Sequence, residues 1–170
     1  MSQIKVNSLV PTGGLGTGAF GGIIQVVPAF TTASTTVTNQ TLDINGLTVT
    51  ISPSSTNSKF LIMACFSIAH TELNGSVVLD LVRNNTAIAQ GVNTTQGSHT
   101  SLLSMGGAGN GNVFNYSYQH VDQTTLTDLS DITYKYTIAS VAANFSAYAN
   151  TRATNDMTAT GNLIVCEVSG

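Results

Sequence analysis

The chain has 170 residues and a formal net charge of -3 at pH 7, which arises from only 5 Lys and Arg and 8 Asp and Glu residues. Charged residues make up 8% of the sequence, whereas an ordinary soluble domain has about 25%. So few basic residues argue against nucleic-acid binding, because no basic surface can form. No apolar run reaches the roughly 18 residues that a membrane-spanning helix needs, so we expect no membrane partner.

Neutral polar residues, above all Thr, Ser and Asn, take the place of the missing charges. Thr and Val suit the half-buried surface of a β-sheet, while helical bundles are rich in Ala, Glu, Lys, Leu and Arg. The composition therefore favours β structure. A β-surface with so few charges also tends to associate, so we expect a homo-oligomer rather than a monomer.

The first 22 residues differ from the rest of the chain. Ile4, Val6, Leu9 and Val10 are spaced for a short extended segment, and a glycine-rich stretch follows Pro11. Such a segment cannot build a core of its own. We predict an N-terminal attachment arm and hinge over residues 1–22, with these four apolar residues as candidate attachment residues, and a head domain over residues 23–170.

From residue 23 onward, short runs of β-branched and aromatic residues alternate with Asn, Gly, Ser and Asp. The pairs Asn45-Gly46 and Asn74-Gly75 predict tight turns, and residues 52–57 predict a loop because Pro53 is excluded from a central strand. We expect an all-β fold, a jelly-roll-like antiparallel β-sandwich, with a closed barrel as the alternative. The predicted strands are 23–30, 34–41, 47–52, 59–69, 76–83, 86–91, 113–121, 132–142, 145–150 and 161–168.

Two predicted strands carry apolar residues on both faces. In residues 59–69, Leu61 and Met63 alternate with a second apolar set, and in residues 76–82 Val78 and Val82 do the same. Only one face of a strand in a two-layer sandwich meets the core. The other face needs a further cover, so we predict that Leu61, Met63, Val78 and Val82 contact another subunit.

No motif makes a catalytic or cofactor site specific. The glycine-rich Gly14–Gly18 stretch lacks the Lys-Ser/Thr ending of a phosphate-binding loop. His70, His99 and His120 are isolated, although a three-fold axis could gather copies of one histidine around a metal ion. We expect no enzyme activity, no cofactor and no metal.

The remaining polar and thiol groups have structural explanations. Asp122, Asp128 and Asp131 cluster in one segment with hydroxyl residues, which suits either loop capping or, as the weaker alternative, calcium. Glu167 suits an edge-strand charge that discourages wrong pairing. Cys65 and Cys166 lie in apolar runs, where we expect free thiols rather than a disulfide.

Five segments of the sequence carry a family resemblance: Ile4–Pro11, Gly22–Val27, Ile44–Ile62, Leu81–Thr86 and Ile132–Tyr136. They resemble segments of small virion proteins of tailed phages, notably those of marine cyanophages and their relatives. The resemblance is fairly continuous over residues 1–70 and patchy afterwards. It implies a structural protein of the phage particle, of the tail-fibre or minor virion type, whose β-sandwich head forms trimers.

Composition and resemblance together predict a homotrimeric knob on the virion surface. The knob would be a capsid decoration or a short fibre, assembled in the host cytoplasm and docked on a capsid or tail protein by its N-terminal arm. The alternative is a lectin-like, receptor-binding tail-fibre head whose loops over residues 91–112 contact host surface glycan. An aromatic content of 6% without Trp weakens this alternative, because sugar sites usually stack a ring on an aromatic face.

Overall fold

The computed structural model describes residues 22–71, 76–90, 103–106, 112–140, 146–152, 154 and 158–169. This part of the chain forms eleven strands. In chain order they are β1 (Ile23–Thr31), β2 (Thr35–Thr38), β3 (Thr41–Ile51), β4 (Lys59–His70), β5 (Ser76–Arg83), β6 (Thr86–Ile88), β7 (Leu103–Gly106), β8 (Val113–Asp122), β9 (Ile132–Ser140), β10 (Ser146–Ala149) and β11 (Gly161–Val168).

The strands form two antiparallel sheets. We call them the front sheet, which contains β1, β2, β4, β8, β10 and β11, and the back sheet, which contains β3, β5, β6, β7 and β9. The first strands, β1 and β2, pair with the last, β11 and β10, while β3 pairs with β9, β4 with β8, and β5 with both β6 and β7. This nested pairing is the winding of a jelly roll, so the predicted all-β sandwich is confirmed.

Strand β4 is the centre of the front sheet. Along one edge it pairs with β8 over residues 60–69. Along its other edge it pairs first with β11 over residues 59–65 and then with β10 over residues 68–70. The order across the sheet is therefore β8, β4, β11, β1 in one half, and β8, β4, β10, β2 in the other.

Asn150 holds the sheet together where β10 ends. Its φ of 58° lies in the left-handed region, which Asn tolerates better than most residues. The Asn150 backbone N–H donates to the Ser67 carbonyl at 2.9 Å, and its side-chain amide donates to the Ala33 carbonyl at 3.4 Å. One residue thus connects β4 with the segment between β1 and β2.

The core lies between the two sheets, on the faces that they turn toward each other. Phe60, Ile62, Phe66 and Ile68 of β4 are all at most 1% exposed. The Phe66 ring centroid lies 4.8 Å from that of Tyr116 in β8 and 5.2 Å from that of Tyr136 in β9. Aromatic rings from both sheets therefore interlock across the middle of the sandwich.

Two details of the strand prediction are wrong. Asn45 and Gly46 do not form a turn between strands but lie inside β3, where the pairing with β9 shifts register between Asp43 and Thr48. The short strand β7 was not predicted, and it pairs with β5 over Leu79 to Ser76. The predicted arm, including Ile4, Val6, Leu9 and Val10, and the Asn74-Gly75 turn lie outside the described residues.

Candidate interaction surface

Strand β4 turns apolar side chains outward as well as inward. Leu61, Met63 and Cys65 alternate with the core residues and therefore point away from the back sheet. Leu61 and Met63 are half-buried, and Cys65 is exposed. This is the outward apolar row that the alternation of residues 59–69 predicts.

The register of the front sheet extends this row across four strands. Leu61 lies between Val121 of β8 and Cys166 of β11, and Cys166 in turn lies beside Val26 of β1. Neighbouring rows add further apolar residues, interrupted by Gln119 and Ser117 of β8 and by Asn162 of β11. We define the apolar face as Ile23, Val26, Pro28, Phe30, Leu61, Met63, Cys65, Val121, Ile164, Cys166 and Val168.

Several members of the apolar face are strongly exposed. Val26 is 52% exposed, Phe30 68% and Val121 41%. A depression of about 200 Å³ lies between Leu61, Val121, Val168 and Lys59. Lys59 is the one charged residue that the described strands place on this face, and its Nζ donates to the Gln123 carbonyl at the end of the sheet.

The outer face of the back sheet has the opposite character. Thr50 and Thr133 form a hydrogen bond across β3 and β9 at 3.0 Å, and Lys135 pairs with Asp43 at 2.9 Å. Val78 and Val82 lie on this face and are each only 7% exposed. The four predicted interface residues therefore do not form one patch, because Leu61 and Met63 lie on the front sheet and Val78 and Val82 on the back sheet.

Glu167 is not an edge charge, because β11 lies between β1 and β4. Its side chain is fully buried and accepts hydrogen bonds from the Ser54 backbone N–H at 2.7 Å, the Ser54 and Ser58 hydroxyls, and the Gln25 amide at 2.6 Å. Burial would raise the pKa of Glu167, but these donors outweigh it and hold the pKa below its usual value. The carboxylate thus fastens the loop after β3 to β11 and β1.

The three aspartates considered as calcium ligands have different hydrogen-bond partners. Asp122 accepts from Arg83 at 2.7 Å and from the Tyr134 hydroxyl at 2.8 Å. Asp128 caps the Ser130 N–H at 2.8 Å, and Asp131 accepts from the Ser52 hydroxyl. Each carboxylate has its own protein donors, and the described residues contain no cluster of His, Cys, Asp and Glu that could hold a metal ion.

The described histidines and cysteines lie in different environments and do not share a site. His70 is 1% exposed, and neither of its ring nitrogens has a hydrogen-bond partner among the described residues. His120 is half-buried and stacks on Tyr118 with ring centroids 6.4 Å apart, while His99 lies outside the described residues. Cys65 and Cys166 are both free thiols, one exposed and one buried. The apolar face, rather than any polar cluster, is therefore the candidate functional surface.

No protein-family model and no curated protein matches the sequence. Among the described residues, no helix is long and apolar enough to cross a membrane.

Proposed function

We propose that this protein is a structural subunit of a tailed-phage particle, a homotrimeric knob on the virion surface that serves as a capsid decoration or a short fibre. Its sequence resemblance to small virion proteins supports the phage assignment. The observation that carries the self-association is the contrast between the two sheets, one with an apolar outer face and one with a polar outer face. The proposed occupant of the apolar face is other copies of this chain.

The size of the apolar face suits a contact between copies. Four strands about 4.8 Å apart and four residue rows about 6.7 Å apart outline roughly 500 Å² in projection, and this area includes polar positions at Lys59, Ser117, Gln119 and Asn162. The largest apolar patch on an ordinary monomer covers about 300–600 Å² and is often functional. A stable interface uses about 800 Å² of accessible surface per partner, which a corrugated sheet face of this extent approaches.

The charge distribution favours a copy of the same chain over a charged partner. With 5 basic and 8 acidic residues in 170, the protein has few groups that could steer a charged molecule onto the apolar face. Association through this face buries Val26, Phe30 and Val121, and Lys59 at the end of the sheet is the one charge that the described strands place there. In the proposed knob, three copies share these faces around their axis.

The exposed thiol of Cys65 provides a test of this contact, because it lies within the apolar face. We expect a maleimide reagent to modify Cys65 slowly at micromolar protein concentration and much faster in Met63→Lys, which places a charge in the middle of the face. Thr41→Lys, at an exposed position on the outer face of the back sheet, is the matched control and should protect Cys65 as the wild type does. Equal, fast modification in all three proteins would refute a contact through this face.

The proposed role of the arm needs a separate test on particles. A chain without residues 1–22 keeps every described strand, so we expect it to fold and associate but to be missing from purified virions. The full chain, supplied from the same expression plasmid, is the control. Equal incorporation of both chains would rule out docking through the arm.

The alternative role is a receptor-binding head that contacts host glycan. A polar depression of about 310 Å³ lies between the β5–β6 turn and residues 124–132, with Arg83, Asn84 and Asp128 in its wall. Its lining contains no aromatic ring on which a sugar could stack, so we favour the structural role. Glycan-array binding that disappears when residues 91–112 are replaced would instead support the receptor-binding role.

A further inference from the structure

Strand β8 is a long edge strand that lacks the usual protection against pairing. Within the described part of the chain it pairs only with β4, and this pairing runs over ten residues without a register shift. Val113–Asp122 contains no Pro, Gly, Lys or Arg. Its single charge is Asp122 at the very end, which Arg83 neutralises. An edge of this kind is a template for a further strand.

The other described edges differ from β8. Strand β1 contains Pro28 and a register shift between Ile23 and Gln25. Strand β3 contains a register shift next to Asp43, and β2, β6 and β7 have four residues or fewer. Proline, irregular register, charge and short length are the devices by which proteins prevent edge pairing. Their shared absence from β8 singles out this edge.

The sequence of β8 is nearly palindromic in side-chain type, and the exception is Phe114, which corresponds to His120. Residues 113–121 read V-F-N-Y-S-Y-Q-H-V, so Ser117 is the centre of a palindrome of side-chain types. If two copies pair antiparallel about Ser117, Asn115 lies opposite Gln119, and Tyr116 lies opposite Tyr118. Amides then meet amides and rings meet rings, which are favourable cross-strand pairs.

We propose that β8 pairs with β8 of a second copy of this chain, antiparallel and about a two-fold axis through Ser117. The pairing joins two front sheets into one continuous sheet. Tyr118 and His120, which are half-buried and stacked on each other, gain aromatic neighbours from the second copy. This contact uses the backbone edge of β8, whereas the apolar face uses outward side chains, including Val121 of β8. Trimeric knobs that also paired through β8 would therefore form hexamers with combined three-fold and two-fold symmetry.

Cysteine cross-linking tests the register directly. Cys65 lies opposite Ser117 within one chain, so every variant is made in a Cys65→Ser background. Opposite Cα atoms in antiparallel strands are about 4.5–5.5 Å apart, within the range that a disulfide bridges. In a glutathione redox buffer at micromolar protein, we expect Ser117→Cys alone to form covalent dimers on a non-reducing gel.

Two exposed neighbours on the same face of β8 provide the controls. Asn115→Cys alone and Gln119→Cys alone should stay monomeric on the gel, whereas an equimolar mixture of the two should form a covalent heterodimer. Ser117→Cys dimers no more abundant than those of Asn115→Cys alone would overturn the proposal, as would a mixture that fails to cross-link. Since Met63→Lys leaves β8 unchanged, the Ser117→Cys dimer should persist in that variant, which separates this contact from the apolar-face contact.

Discussion

At the scale of single residues, Glu167 is the clearest case of a side chain whose environment decides its role. A buried carboxylate costs several kcal/mol of desolvation unless hydrogen-bond donors compensate. Ser54, Ser58 and Gln25 supply those donors, and no Lys, Arg or His of the described part forms an ion pair with it. The sequence Val165-Cys166-Glu167-Val168 could not reveal this, because the donors lie 109 or more positions away in the chain.

We therefore expect Glu167→Gln to lower the free energy of unfolding by about 2–4 kcal/mol, since the new amide group cannot accept every hydrogen bond that the carboxylate accepts. Urea denaturation measures the change. Asp131→Asn is the control, because Asp131 is exposed and accepts one hydrogen bond from Ser52. If both variants had the stability of the wild type, the hydrogen bonds of Glu167 would not contribute to the free energy of unfolding.

Three buried tyrosines make the stability of the fold decrease at high pH. Burial raises the pKa of Tyr116, Tyr134 and Tyr136 above its usual value of 10.0. In the unfolded chain these phenols lose their protons near pH 10, whereas in the folded protein they retain them. Stability is therefore fully present below pH 10 and decreases as the pH rises further.

Absorbance of tyrosinate against pH measures this effect. We expect Tyr116, Tyr134 and Tyr136 to ionise only together with unfolding, as followed by circular dichroism in the same samples. Reversible ionisation of these three tyrosines while the protein stays folded would contradict the burial of their rings.

At the scale of elements, β3 contains a position that only glycine fits well. Gly46 has a φ of 76°, and a Cβ atom built on it would lie 2.5 Å from the Thr31 hydroxyl. A side chain there is strained both by the backbone conformation and by the contact. Gly46 thus permits the irregularity in β3 rather than a turn between two strands.

Replacing this glycine tests the irregularity. We expect Gly46→Ala to reduce the free energy of unfolding by about 1–3 kcal/mol, measured by thermal or urea denaturation. Gly22→Ala is the control, because no atom of the described residues, apart from its chain neighbours, lies within 4 Å of the Cβ that it would add. Equal effects of the two substitutions would show that Gly46 is not constrained.

Some strands of this fold follow from the local sequence pattern, and others depend on pairing between distant segments. The strands β4, β8 and β11 could be predicted within one or two residues, because their β-branched and aromatic runs end at polar segments. Strand β7 could not be predicted, since Leu103–Gly106 is a short segment next to a glycine-rich stretch and is held by pairing with β5. Leu61 and Met63 could be assigned to an outer face from alternation alone. The neighbours that complete that face, such as Val26 and Val121, depend on register between distant strands, which no local pattern encodes.

At the scale of the whole molecule, the outer faces of the two sheets differ in polarity. The back sheet presents threonines and the Lys135–Asp43 pair to solvent, while the front sheet presents the apolar face. A monomer would leave Val26, Phe30 and Val121 exposed to water. Removing apolar surface from water is worth about 25 cal/mol per Å². The proposed association of copies through the front sheet would remove this cost, and the edge of β8 is the proposed second contact.

Sedimentation equilibrium of the full chain tests this central claim most directly. The account predicts a species of three times the 17.6 kDa chain mass, or six times if β8 pairing also forms, at micromolar concentration. Met63→Lys should sediment as a smaller species under the same conditions. A wild-type protein of 17.6 kDa at every concentration would contradict the account.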